Sequence, residues 1–186
     1  MSYEFIKTEK QGHILIVTMN RPEVYNAVHG DMHNEMAAVW DEFAADQDLC
    51  VAVLTGAGSG IGRALALALA EQQCHLALAD LNADALAETA ALARAKGVRV
   101  SEHPLDVASR AAVAALPQAV MAEHGQVDLV INNAGVALGG NFEQVSIENF
   151  DWLMSINFDA VVCMCRAFLP LLKQRPAARI VNVSSL

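Results

Sequence analysis

The run Val51-Ala52-Val53-Leu54-Thr55-Gly56-Ala57-Gly58-Ser59-Gly60-Ile61-Gly62 limits what this chain can become more than any other stretch. An apolar segment, a glycine-rich turn and then Arg63-Ala64-Leu65-Ala66-Leu67-Ala68-Leu69-Ala70, a strong helix former, read as strand, sharp turn and helix start. Glycines at 56, 60 and 62 let the backbone turn tightly and approach a bulky anion, whose charge meets unpaired N–H groups at the head of the helix. A plain tight turn is the bland alternative for the glycines taken alone.

Downstream the pattern alternates regularly. Strands are expected at 75–80, 98–103, 127–132 and 179–183, and helices at 83–96, from 108 or 109 to about 123, and over 147–172. Asn82 and Ser146 are expected N-caps, Gly97 and Gly125 stops, and Pro170 and Pro176 help close the last helix. This spacing predicts an α/β fold, a Rossmann-like doubly wound parallel sheet of five strands with helices on both faces. The glycine corner, Asp80, Asp106, Asn133 to Gly135 and Ser184-Ser185 then all fall at carboxyl ends of strands, where such sheets bind ligands. Upstream the pattern differs. Residues 5–8 and 13–19 flank Gln11-Gly12 as a hairpin, and 31–43 carries apolar residues at helical spacing, an N-terminal appendage over 1–48 beside a domain over 49–186.

A net charge of -9 without a basic cluster argues against nucleic acid and anionic membranes, and the apolar runs are read as stopping short of a bilayer span. No signal-peptide pattern opens the chain, so a cytoplasmic protein is expected. Cys50, Cys74, Cys163 and Cys165 read as buried free thiols, and no metal site is expected; His29 and His33 share helical spacing but lack a third ligand.

From about residue 50 the chain resembles the short-chain dehydrogenase/reductase family. The resemblance rests on Thr55-Gly56-x-x-x-Gly60-x-Gly62, Asp80, Leu105-Asp106-Val107, Asn132-Asn133-Ala134-Gly135, Ile156-Asn157 and Ile180-Val181-Asn182-Val183-Ser184-Ser185. It implies a nicotinamide dinucleotide held by Gly56, Ser59, Gly60, Ile61, Gly62, Asp80, Leu81, Asp106, Val107, Asn133, Ala134 and Gly135. Asp80 would accept from the adenosine ribose hydroxyls and repel a 2′-phosphate, and Ser59 is neutral, so NAD is expected over NADP. A helix-start acid favourable to the dipole is the alternative for Asp80.

The resemblance further implies catalysis by an Asn, Ser, Tyr and Lys set. Asn157 matches the asparagine and Ser185 the serine, while the Tyr-x-x-x-Lys pair is expected roughly a dozen residues past the serine, beyond Leu186. Tyr3 and Lys7 have the spacing, but on a strand they stand roughly 13 Å apart, too far for the ammonium to tune the phenol. Tyr25 has no such lysine.

Residues 3–58 resemble a second family, the start of an enoyl-CoA hydratase/isomerase (crotonase), through Gly12 to Met19, Asn20-Arg21-Pro22, Asn26-Ala27-Val28, Trp40-Asp41-Glu42-Phe43 and Val51 to Gly58. That family's oxyanion-hole loops and acidic catalytic residues have no match here. The expectation is therefore an NAD(H)-binding oxidoreductase portion acting on an alcohol or ketone, inactive for want of the Tyr and Lys. The alternative is a non-catalytic chimera joined within 51–58. Self-association is expected through helix 147–172 or the edge strand 179–183, with the hairpin unable to pair with strand 51–55.

Overall fold

The computed structural model describes residues 4–11, 14–19, 31, 34, 35, 38 and 51–184. Cys50, Tyr3, Tyr25, His29, His33, Ser185 and most of the expected N-terminal helix lie outside them.

Two antiparallel strands, β1 (Ile6–Gln11) and β2 (Ile14–Met19), form the expected hairpin, with Ile6 opposite Met19. Asp31, Asn34, Glu35 and Ala38 have helical backbone, and the Glu35 carboxylate accepts from the N–H groups of Glu4 (2.7 Å), Phe5 (2.8 Å) and Ile6 (3.2 Å). One acidic side chain thus ties the helical segment to the start of β1.

The main body follows in strict alternation: β3 (Val51–Thr55), α1 (Gly60–Glu71), β4 (His75–Asp80), α2 (Ala83–Arg94), β5 (Val100–Pro104), α3 (Arg110–His124) and β6 (Leu129–Asn132). Then come α4 (Ile147–Met154), a π-helical turn at Ser155–Asp159, α5 (Ala160–Leu172) and β7 (Arg179–Asn182). The five strands are all parallel, in the order β5-β4-β3-β6-β7.

Strand alternation divides the core in two. Ala52, Leu54, Leu76, Leu78, Leu129 and Ile131 pack against Ala66, Leu69 and Ala70 of α1 and Leu86, Ala90 and Ala93 of α2. On the other face Val53, Ala77, Ala79 and Val130 meet Val113, Leu116 and Val120 of α3 and Met164, Phe168 and Leu172 of α5. With helices on both sides, β3 is buried along its whole length, which is why its sequence is apolar without alternation.

Several details differ from the sequence expectation. Val98 and Val127 are buried but precede their strands, which start at Val100 and Leu129, because burial in an approach loop needs no ladder partner. Helix α2 ends at Arg94 rather than Lys96, ahead of Gly97 at φ +89°. Cys74 is buried as expected, whereas Cys163 and Cys165 are only half-buried. Taken as one stretch, Ile147–Leu172 is, by length and composition, long and apolar enough to cross a membrane, with a mean hydropathy of 1.5. In this fold its second half packs one face, with Ala160, Met164, Phe168 and Leu172, into the core.

The sheet's two margins are unlike. Arg99 O and Leu105 N bond to β4, so the alternate residues Val100, Glu102 and Pro104 turn their backbone groups outward from β5. Arg94 Nη2 covers the Val100 carbonyl at 2.9 Å, and Pro104 has no N–H. At the opposite margin β2 runs alongside β7 as part of a separate two-stranded sheet; the hairpin does not pair with β3.

Candidate functional site

Five parallel strands deliver their carboxyl ends to one edge, and most of the polar residues there are held by backbone contacts. Thr55, 2% exposed, closes β3 and hands the chain to Gly56 at φ +67°. A Cβ on Gly56 would lie 2.9 Å from Ala134 Cα and from Asn133 Nδ2, so glycine is what lets the β3 and β6 turns interlock. A Cβ on Gly62 would fall on the Gly56 carbonyl oxygen. Gly60, at φ +51°, has open space where its Cβ would stand, and Ser59 and Ile61 beside it are exposed. The head of α1 therefore presents a bare backbone surface, the fit an anionic diphosphate requires. Ser59 is the N-cap of α1, with no side-chain cap bond to occupy its hydroxyl.

The asparagine turn is built onto this corner. Asn133 N (3.0 Å) and Ala134 N (3.1 Å) both donate to Thr55 Oγ1, and Asn133 Nδ2 donates to the carbonyls of Thr55 (3.1 Å) and Gly56 (3.2 Å). Asn132, 3% exposed, ties the other way: its Nδ2 donates to Asn182 Oδ1 at 2.7 Å and reaches Cys165 Sγ at 3.5 Å. Burial pushes the Cys165 thiol pKa up. Thr55 and Asn132 belong to the motifs quoted from the sequence without an expected cofactor contact, and an asparagine tying neighbouring strands is what Asn132 supplies here. A hydroxyl ending a wholly apolar strand was the available signal for Thr55.

Asp80 ends β4 with both carboxylate oxygens engaged, Oδ2 by Gly58 N at 2.7 Å and Oδ1 by Asn82 N at 2.8 Å. Each oxygen keeps a lone pair for a further donor. Leu81 next to it is 74% exposed. Asp106 lies just past β5, exposed, with Ala108 N donating to its Oδ1 at 2.9 Å, and Val107 is half-buried. Asn157 sits in the π-helical turn and bonds Val136, one residue past Gly135. The structure thus brings Gly56 to Gly62, Asp80, Asp106 and Asn133 to Gly135 to one edge of the sheet. Ser185 lies outside the described residues.

A parallel sheet in this order, with an open glycine corner on its central strand and a carboxylate closing the next, defines a dinucleotide-binding α/β domain. The short chain dehydrogenase family model matches residues 50–186, and this chain belongs to that family. It is 48% identical over 136 residues to SadH of Mycobacterium tuberculosis, a protein assigned to the oxidoreductases, covering 73% of this chain and 49% of that protein. A short chain dehydrogenase/reductase from Burkholderia phymatum, crystallised in complex with NAD, is similar at 43% identity and a TM-score of 0.70, covering 73% of this chain and 48% of the other. A metagenomic short-chain oxidoreductase in complex with NADP has a TM-score of 0.70 at 33% identity, over 74% of this chain and 62% of its own. The chain spans between about a quarter and about half the length of the curated relatives it matches. A nicotinamide dinucleotide is the cofactor class these neighbours bind. The enoyl-CoA hydratase/isomerase model matches residues 9–84, so both families' models cover 50–84.

Proposed function

We propose that this chain is the NAD(H)-binding portion of an oxidoreductase that moves hydride between the dinucleotide and an alcohol or ketone. The observation that carries the reading is the joint placement of the open Gly60 backbone and the Asp80 carboxylate at adjoining strand ends. Gly56, Ser59, Gly60, Ile61 and Gly62 would cradle the diphosphate, Asp80 and Leu81 the adenosine ribose, and Asp106 and Val107 the adenine. Asn133, Ala134 and Gly135 would line the nicotinamide ribose. The bound dinucleotide would supply the hydride acceptor; Asn157 and Ser185 would order the substrate side. A fixed carboxylate at Asp80 disfavours a 2′-phosphate, which supports NAD over NADP.

A protein made of these 186 residues alone, in which no Tyr-x-x-x-Lys pair follows Ser185, is expected to bind the dinucleotide without turnover. Titration of NADH fluorescence tests the reading: saturable binding, tighter than for NADPH, supports it, and no binding overturns it. Turnover of secondary alcohols above that of Ser185→Ala would overturn the inactivity. The overlap of two family models on one strand, turn and helix favours a second element of the reading, that residues 1–48 and 49–186 have separate origins. Intact full-length relatives carrying both halves would sink it. Exposed Phe150, Trp152, Phe158 and Val162 support self-association through the 147–172 helix, which size-exclusion chromatography checks.

A further inference from the structure

Arg63 stands in the first turn of α1, where a cation opposes the helix dipole and would sit beside no acid of its own turn. Its guanidinium is nonetheless drawn back onto the glycine loop. Nε (3.0 Å) and Nη2 (2.7 Å) both donate to the Gly58 carbonyl oxygen. The same two nitrogens reach α2, Nε donating to Thr89 Oγ1 at 2.9 Å and Nη2 to the Ala85 carbonyl at 3.3 Å and Glu88 Oε2 at 3.0 Å. Thr89 is fully buried, and Glu88 is largely exposed.

Gly58 is thereby held at both ends of its residue: its N–H by the Asp80 carboxylate and its C=O by Arg63. A Cβ there would stand 3.0 Å from Asp80 Oδ2 and 3.1 Å from Ala85 Cβ, so the loop has no slack toward α2. Fixing the peptide planes on both sides of Gly58 fixes the Ser59 N–H directly and sets where the chain enters the turn that carries the Gly60 and Ile61 N–H groups. We propose that Arg63 is a positioning residue that locks the glycine loop in its anion-receiving shape before any ligand arrives, through Gly58 and not by touching a phosphate. This rests on the dinucleotide-binding reading above and deepens it.

The contact pattern separates this role from two others. A 2′-phosphate ligand would need the guanidinium turned outward, whereas its contacts point to the loop and to α2. A surface ion pair would need Glu88 as the principal partner, but an exposed pair contributes little, so Glu88→Gln is a control expected to be silent.

The test uses Arg63→Ala, Arg63→Lys and Glu88→Gln with two measurements. In the ligand-free protein, amide hydrogen exchange over residues 56–61 is expected to rise about tenfold in Arg63→Ala, the loss of a charge-assisted bond pair, while β6 amides keep their rates. Lysine reaches the carbonyl with a point charge instead of a fork, so Arg63→Lys is expected between the two. In titrations NADH and NADPH are expected to weaken by the same factor, about tenfold. Unchanged loop exchange in Arg63→Ala overturns the inference, as does a loss confined to NADPH, which would make Arg63 a phosphate ligand. A wild-type protein that binds no NADH overturns the functional reading instead, and the exchange result still decides for Arg63. If Arg63→Ala does not fold, the lysine variant carries both measurements.

Discussion

The side-chain amide of Asn157 and the backbone of Val136 close a two-bond ring: Val136 N–H donates to Asn157 Oδ1 at 2.9 Å, and Asn157 Nδ2 donates to the Val136 carbonyl at 2.8 Å. The ring spans two elements, since Asn157 belongs to the π-helical turn between α4 and α5 and Val136 to the loop after β6. The wider turn departs from regular helical stacking at the residue that must reach that loop. Asn157→Ala removes both bonds and is expected to lower stability by about 1–2 kcal/mol, read as a lower urea midpoint, with Asn157→Asp, which keeps an acceptor only, in between.

Gly60 and Gly62 should fail differently on substitution. At Gly62 an added methyl falls on the Gly56 carbonyl, and Gly62→Ala is expected to cost about 2 kcal/mol or more of stability. At Gly60 the space is open and only the positive φ is unfavourable, so Gly60→Ala is expected to cost about 1–2 kcal/mol while weakening NADH binding more than tenfold through the lost approach. Parallel thermal melts and NADH titrations separate the two.

Asp128 is 1% exposed and gathers Arg175 Nε (2.5 Å), Val51 N (3.0 Å) and Gln126 Nε2 (3.2 Å). Its backbone N–H and C=O also join β3 and β7, through Val51 O and Arg179 N. Asp128→Ala leaves the buried Val51 N–H and the partly buried Arg175 and Gln126 donors without their acceptor and is expected to destabilise by about 2–4 kcal/mol in urea unfolding, against near-neutral effects of substitution at exposed Glu88.

Acid should weaken this domain through a histidine. His124 is 8% exposed; burial, and then the charges of Arg99, His75 and His103, hold its pKa down to about 4, with Glu123 opposing. His103 is lowered too, by burial. Ser101 Oγ lies between them, 2.8 Å from His124 Nε2 and 2.7 Å from His103 Nε2. His124 Nδ1 is buried and has no partner among the described residues. The cheapest arrangement puts the His124 proton on Nε2, donating to Ser101, whose hydroxyl donates to His103. Because the folded pKa lies below the unfolded value near 6.5, the unfolded state binds the proton first. Stability from His124 is complete above about pH 6.5 and declines toward pH 4 by up to about 3 kcal/mol. Urea midpoints across pH 4–7 should show this slope, and His124→Gln should flatten it.

Much of this was legible in the sequence because its determinants are local. Asn82, Ser109 and Ser146 cap their helices through the N–H three residues on, and Gly125 takes the left-handed conformation at φ +77°, all decided within one turn of chain. The glycine corner follows likewise from turn chemistry and apolar runs. What escaped was set by distant partners. The π-helical turn answers to Val136, 21 residues away, and the hydroxyl of Thr55 to a turn 78 residues on. Arg63 looked like an ordinary helix residue because the carbonyl it holds is defined only once the loop has closed. Val98 and Val127 look like strand residues in the sequence because burial and ladder pairing part company there.

The capped margin of β5 bears on how another copy could meet this sheet. An incoming strand from another copy would meet one carbonyl already taken by Arg94 and, four residues on, a proline with nothing to donate, so the register of cross-chain bonding is broken twice in five residues. Polymerisation by sheet extension is thereby obstructed at that end, and at the other end the chain's own hairpin lies along β7. Encounters between copies are steered out of the sheet plane and toward the helical faces.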